Sequence, residues 1–124
     1  MSTVQTDTEA HAAITSLMQR YIDGGVSGRV EDERPLFAEN ATIVGHLGPD
    51  FISGPIQIFY DWLAENGGSS NLTHDVTNID IAGTIATARV ECFDWHGHRF
   101  TDMFTLLKTD GEWQIISKVF HLHA

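Results

Sequence analysis

Lys118 is the residue whose type and setting point most directly to chemistry. It stands in the last apolar run, Trp113 to Leu122, with Ile116 and Phe120 two residues to either side. Residues two apart in a strand share a face, so this amine would stand among apolar neighbours and lose its hydration. Desolvation would fit it as a base, an amine nucleophile or an anchor for an anion. Near the end of a sheet, its long stem would instead carry the ammonium to water.

Two-residue turns at His96-Gly97 and Asp110-Gly111 set a trial register for the strands around it. Asp-Gly between apolar runs is a strong hairpin signal, because both residues tolerate positive φ. Alternation then puts Ala88, Val90, Cys92, Thr101, Met103, Thr105, Ile116, Lys118 and Phe120 on one face. The other face takes Arg89, Glu91, Phe93, Phe100, Asp102, Phe104, Ile115, Val119 and His121. Asp94 shares the first face, opposite Arg99, as either a proton carrier or half of a cross-strand ion pair. A bulge near Gly97 would exchange the faces. Glu91, Asp102 and His121 would then form an alternative acid–base set, with Asp102 desolvated between Phe100 and Phe104.

The seven histidines add less. His96-Gly-His98 and His121-Leu-His123 have strand spacing that permits zinc ligation, but no carboxylate or cysteine accompanies them at a ligand spacing. They read as solvated turn and terminal residues, and no metal is expected. His46 and His74 stand as alternative pocket acids or bases.

Further upstream lie the elements that position these groups. Residues 1–7 read as a loose leader, ended by the capping-box spacing Thr6-Asp7-Thr8-Glu9. An amphipathic helix follows, with Ile14, Leu17, Met18, Tyr21 and Ile22 on one stripe, and Gly24-Gly25 is expected to end it. A short second helix is expected over Val30 to Phe37, then a strand over Ala41 to Leu47. Ser53-Gly54-Pro55 reads as the start of a third helix, since proline suits a first helical turn. That helix carries Ile56, Phe59, Tyr60 and Leu63, with Trp62 beside them, and stops at Gly67-Gly68. From Leu72 onward the pattern is a four-strand meander. Helices first and strands last indicate an α+β fold, with helices packed on one face of a curved antiparallel sheet.

Composition narrows the function classes. A formal net charge of -10 with only seven Lys+Arg in 124 residues leaves no basic patch for nucleic acid or anionic membranes. The length suits a single domain over 1–124. Cys92 is the only cysteine, so an intrachain disulfide is excluded. No apolar stretch approaches the ~18 residues of a membrane span, and no secretory signal is visible, so a cytoplasmic location is expected.

Phe37-Ala-Glu-Asn-Ala-Thr42 leading to Ser53-Gly-Pro-Ile56 resembles the helix–strand–helix signature of the nuclear transport factor 2-like superfamily. These folds include ketosteroid isomerases, scytalone dehydratase and SnoaL-like cyclases. The ending Gly111-Glu-Trp-Gln-Ile-Ile-Ser-Lys-Val-Phe120 resembles a bacterial subgroup labelled "putative lumazine-binding". The resemblance spans Thr8 to about Leu122. It implies a cone-shaped, cystatin-like α+β roll with three N-terminal helices on the concave face, and dimerisation through the outer sheet face. Arg20-Tyr21-Ile22 resembles the segment holding the oxyanion-hole tyrosine of ketosteroid isomerases. Their general-base aspartate falls on Gly45 and their protonated aspartate on Thr105, so steroid isomerisation by that route is not expected.

The expected protein is therefore a homodimer with an apolar cone pocket for a small, ring-containing ligand. Phe37, Phe59, Trp62, Cys92, Met103, Thr105 and Phe120 would line the pocket. Tyr21 would polarise a carbonyl, with Lys118 or Asp94 moving protons, in a cofactor-free isomerase, dehydratase or cyclase. The alternative is a ligand carrier without turnover.

Overall fold

The structure, a computed structural model, describes residues 6–124. The predicted leader falls largely on residues 1–5, outside the described residues, and Asp7 already opens the first helix. Helix α1 spans Asp7–Ser27. The Thr6 hydroxyl accepts from the Glu9 backbone N–H at 3.1 Å and donates to the Glu9 carboxylate at 2.9 Å, occupying donors that the first turn leaves unpaired. The stripe from Ile14 to Ile22 is buried as the periodicity predicts.

Gly24-Gly25 does not end α1. The helix continues to Gly28, where φ is 75°, a conformation that glycine adopts without steric cost. The glycine pair instead allows close approach. A Cβ on Gly24 would meet the Glu33 Cδ at 2.6 Å, and one on Gly25 would meet Leu72 and Trp95 side-chain carbons at 2.7 and 2.8 Å.

Helix α2 is Val30–Glu33, followed by a 3-10 turn over Arg34–Leu36. Phe37 belongs to strand β1, Phe37–Leu47, rather than to a helix. Ser53-Gly54-Pro55 also departs from expectation. It closes strand β2, Asp50–Pro55, which pairs antiparallel with β1, Val44 facing Ser53 and Thr42 facing Pro55. Proline is tolerated there because β2 is an edge strand. Helix α3, Gln57–Asn66, comes only after this hairpin and ends at Gly67 with φ 76°. The helices are therefore not all N-terminal.

The predicted meander is present as β3 (Thr73–Ala82), β4 (Ile85–Trp95), β5 (His98–Thr109) and β6 (Glu112–Leu122). The curved, open six-stranded sheet has the order β2-β1-β6-β5-β4-β3. All neighbours are antiparallel except β1 and β6, which run parallel and bring Ile43 opposite Lys118.

Two bulges decide which side chains face the helices. Trp95 pairs with His98 across the predicted two-residue turn, but the next pair is Cys92 with Phe100. Phe93 and Asp94 thus oppose the single residue Arg99, and Asp94 takes φ 65°. Leu106 pairs with Ile115 and Thr105 with Ser117, leaving Ile116 as the extra residue in β6. Each bulge shifts alternation by one residue. The first turns Phe100, Asp102, Phe104 and Leu106 inward and sends Met103 and Thr105 outward. The second returns Lys118 and Phe120 to the inner side. Two errors of phase in the trial register cancel for β6 beyond Ile116, and leave β5 and the buried Ile115 inverted.

Candidate functional site

Three polar side chains from widely separated parts of the chain meet beneath the helices. Tyr21 from α1 is fully buried, Asp102 from β5 likewise, and Lys118 from β6 is 5% exposed. The Tyr21 hydroxyl donates to Asp102 Oδ2 at 2.7 Å. Lys118 Nζ donates to the Tyr21 oxygen at 2.8 Å and to Asp102 Oδ1 at 3.0 Å. The Cys92 thiol donates to Asp102 Oδ2 at 3.4 Å. An ammonium has three donors, so one N–H of Lys118 has no acceptor among the described residues.

The ammonium also stands 5.2 to 5.8 Å from the ring centres of Tyr21, Phe59, Phe104 and Phe120. Ring faces at that range attract a cation. Asp102 and the rings together stabilise a positive charge where an isolated one would be costly.

A cavity of about 70 Å³ opens beside this cluster, between α3, the β1–β2 hairpin and the inner face of β4 to β6. Its walls are Ile43, Leu47, Ile52, Ile58, Phe59, Trp62, Trp95, Phe100, Lys118 and Phe120. Lys118 is the one charged side chain in that wall. Trp95 Nε1 is buried without a hydrogen-bond partner, so a second donor belongs to a lining residue.

Burial sets the ionisation of the groups behind the wall. Desolvation, followed by the nearby Asp102 charge, raises the Tyr21 phenol well above its ordinary range. The same two causes raise the Cys92 thiol. Glu33, fully buried against Gly24, has neither carboxylate oxygen hydrogen-bonded. Desolvation raises its carboxyl well above the usual value, against a smaller opposing pull from Lys118. Burial without a hydrogen-bond partner thus disfavours its charged form.

The expected site residues fall into three groups. Lys118, Phe59, Trp62 and Phe120 line the cavity. Tyr21 lies behind Lys118, while Phe37 packs on Tyr21 and Phe59 at ring distances of 6.4 and 6.0 Å. Cys92 stands behind Asp102. The remaining residues lie elsewhere. Met103 is 51% exposed and Thr105 is exposed, both on the outer face. Asp94 is exposed at the first bulge, and Arg99, its expected partner, reaches Glu91 instead.

The alternative acid–base set is split across the sheet. Asp102 faces inward, whereas Glu91 accepts from Arg89 at 2.7 Å and Arg99 at 3.0 Å away from the cavity. Its hydrogen bond from Thr101 is the main cause holding the Glu91 carboxyl below the usual range, ahead of the Arg89 contact. His121 is exposed beside His123, and His46 is exposed against Phe51. No group of three or more His, Cys, Asp and Glu among the described residues could hold a metal.

The sequence reading missed Glu33, Trp95 and the apolar wall from β1 and β2. Gly24 opposite Glu33 carried no readable signal, since that contact crosses two helices. At Gly45, where the resemblance puts the general-base aspartate of ketosteroid isomerases, a Cβ would lie 2.5 Å from the Phe120 carbonyl oxygen and 2.6 Å from its ring. No carboxylate fits at that position.

The family described as "Putative lumazine-binding" matches residues 9–121. The chain belongs to this family. An NTF2-like protein of unknown function from Methylobacillus flagellatus KT is 42% identical, with 98% of each chain covered and a TM-score of 0.92. This places the lumazine-binding family member in the nuclear transport factor 2-like superfamily. A cystatin-like domain from Nostoc punctiforme PCC 73102 shares the fold at 18% identity, covering 97% of this chain and 80% of its own, with a TM-score of 0.75. A curated relative named aldolase FrzH, from Cladobotryum sp., is 24% identical over 110 residues, 88% of each chain. No helix among the described residues of this family member is long and apolar enough to cross a membrane.

Proposed function

We propose that this chain is a cytoplasmic, cofactor-free enzyme that binds a small, ring-containing carbonyl compound in the apolar cavity and moves a proton on the carbon next to the carbonyl. The observation that carries this reading is Lys118, which lines an otherwise apolar cavity with two N–H groups held by Tyr21 and Asp102 and the third without an acceptor among the described residues. A carbonyl oxygen accepting that N–H is polarised toward the enolate. In a site that excludes water, a fixed positive charge stabilises a developing oxyanion far better than it would in solution. A cavity needs about 10–15 Å³ to admit even one water, and at about 70 Å³ this one exceeds that several-fold, which is consistent with a small ligand.

Tyr21 and Asp102 hold the ammonium in place, and Tyr21 reaches the ligand only through Lys118. A relative named an aldolase agrees with a carbonyl substrate, since enolate formation is a first step shared by aldol and isomerase chemistry. Isomerase, dehydratase and cyclase activities all remain within this reading. A second reading, a carrier without turnover, draws support from the missing carboxylate at Gly45.

Trp62 and Trp95 in the wall make tryptophan fluorescence the binding assay, with cyclic and aromatic ketones as ligands. Exchange of the ketone's α-hydrogens in deuterated buffer, followed by NMR, reports proton movement. Tyr21→Phe should retain binding within about threefold while exchange falls about 100-fold, the loss typical of a disturbed proton-transfer site. Binding without exchange in the parent protein would establish the carrier. Exchange unaffected by Lys118→Met would refute the assignment of the site.

We also propose that the outer sheet face joins two copies of the chain. Ile85, Met103, Leu107 and Val119 are 55%, 51%, 37% and 46% exposed there, and apolar surface of this kind marks interfaces. Light scattering should give a dimer mass that Met103→Glu reduces to the monomer. A monomeric parent protein would end this proposal.

A further inference from the structure

We propose that Lys118 bonds covalently to its carbonyl ligand, forming a protonated imine. This rests on the carbonyl-binding reading above and adds a bond to it. Four features of the site support the step. Lys118 lines the cavity, and its Nζ stands 5.2 and 5.4 Å from the ring centres of the lining residues Phe59 and Phe120, so a carbonyl bound between those rings lies within reach of the amine. One N–H is free, leaving room on the nitrogen for a new partner. Asp102, 3.0 Å away, is placed to take the proton that the ammonium must lose before its lone pair can attack. The fourth feature is electrostatic. A protonated imine carries the same single positive charge on the same nitrogen as the ammonium, so Asp102 and the four surrounding rings stabilise both ends of the step.

The step balances without an external reagent. One proton passes from Nζ to the Asp102 carboxylate. The nitrogen lone pair forms the C–N bond as the carbonyl π pair moves to oxygen. The proton held by Asp102 and a second from nitrogen leave with that oxygen as water. The C=N bond remains, with one hydrogen and the positive charge on nitrogen. Apolar walls favour the departure of water and slow the reverse hydrolysis. The imine nitrogen then withdraws electrons from the adjacent carbon more strongly than a hydrogen-bonded carbonyl, which serves the proposed proton transfer.

The chain carries an internal control, because Lys108 and Lys118 are its only lysines. Lys108 is half-buried near the far end of β5, outside the cavity wall. The test incubates the full chain with benzaldehyde and sodium cyanoborohydride, which reduces an imine to a stable benzylamine, and locates the benzyl group by peptide mass mapping. Lys118 should be labelled at least about tenfold faster than Lys108, the advantage of a bound over a diffusing partner. Asp102→Asn should slow labelling of Lys118 and leave Lys108 unchanged. Should that variant fail to fold, the comparison of the two lysines in the parent protein still decides.

Equal rates at the two lysines, or no adduct at Lys118, overturn the imine. Fluorescence titration with benzaldehyde alone separates the two proposals. Saturable quenching without an adduct keeps the pocket and removes the covalent step, whereas neither quenching nor adduct removes both.

Discussion

Replacing Lys118 by methionine tests whether its pair with Asp102 holds the site together. Methionine matches the length and volume of the lysine stem, so little cavity forms. What changes is the charge balance around Asp102, which is fully buried and keeps only the Tyr21 and Cys92 donors. Removing one partner of a buried pair costs about 3–5 kcal/mol, because the other charge stays behind. Unfolding entropy scales with chain length, so for 124 residues each kcal/mol corresponds to roughly 4 °C in melting temperature. Lys118→Met should therefore melt roughly 12–20 °C below the parent protein. Asp102→Asn alone should also be destabilising, leaving an ammonium with Tyr21 as its one strong acceptor. The double variant removes both charges and should cost about 2 kcal/mol less than the two single losses combined, within the range for residues in direct contact. Urea unfolding followed by circular dichroism measures all four corners. Salt should leave the coupling nearly unchanged, since buried pairs are poorly screened. Additive losses, within about 0.5 kcal/mol, would refute the interaction.

Glu33 should make stability depend on pH. Its carboxyl is raised in the folded state, so the native protein keeps a proton that the unfolded chain releases above the ordinary value of 4.5. That contribution is complete below the ordinary value and is lost as pH rises through the raised one. Glu33→Gln should thus gain on the parent protein as pH increases and gain nothing in acid. Parallel pH–stability curves would show that Glu33 does not titrate as a buried acid. Cys92, inaccessible and raised by burial, should resist a thiol-reactive dye until urea unfolds the chain. Rapid labelling of the native protein would mean that the floor of the site opens.

The hairpin turns and the start of α1 were legible because their chemistry is local, whereas the ends of α1 and α2 and the start of α3 were not. Thr6 with Glu9 marks the start of α1, and His96-Gly97 and Asp110-Gly111 adopt positive φ at all four residues, as two-residue hairpins of this hand require. Strand β2 was not legible, because Ser53-Gly54-Pro55 satisfies the rules for a helix start as well as those for an edge strand. The bulge beside His96-Gly97 stood in the sequence only as an alternative that would exchange the faces, and the one at Ile116 left no mark. Phe93, Asp94 and Ile116 are ordinary strand residues, and only pairing across the sheet shows that one of them is extra. Lys118 was identifiable as a polar residue in an apolar run. Its meeting with Tyr21 and Asp102 joins positions 97 and 16 residues away, and no local pattern encodes it.

The bulge at Ile116 has a consequence for comparing relatives. Deleting Ile116 would leave Leu106 opposite Ile115, Thr105 opposite Ser117 and Phe104 opposite Lys118, now in an uninterrupted ladder. The strand therefore tolerates a change of length at its middle with the amine kept in place. A relative one residue shorter there can carry the same site, and its alignment needs a gap inside a strand, where gaps are ordinarily avoided. Matched from the start of the strand without that gap, its lysine would fall at the position of Ser117, and a shared amine would be scored as absent.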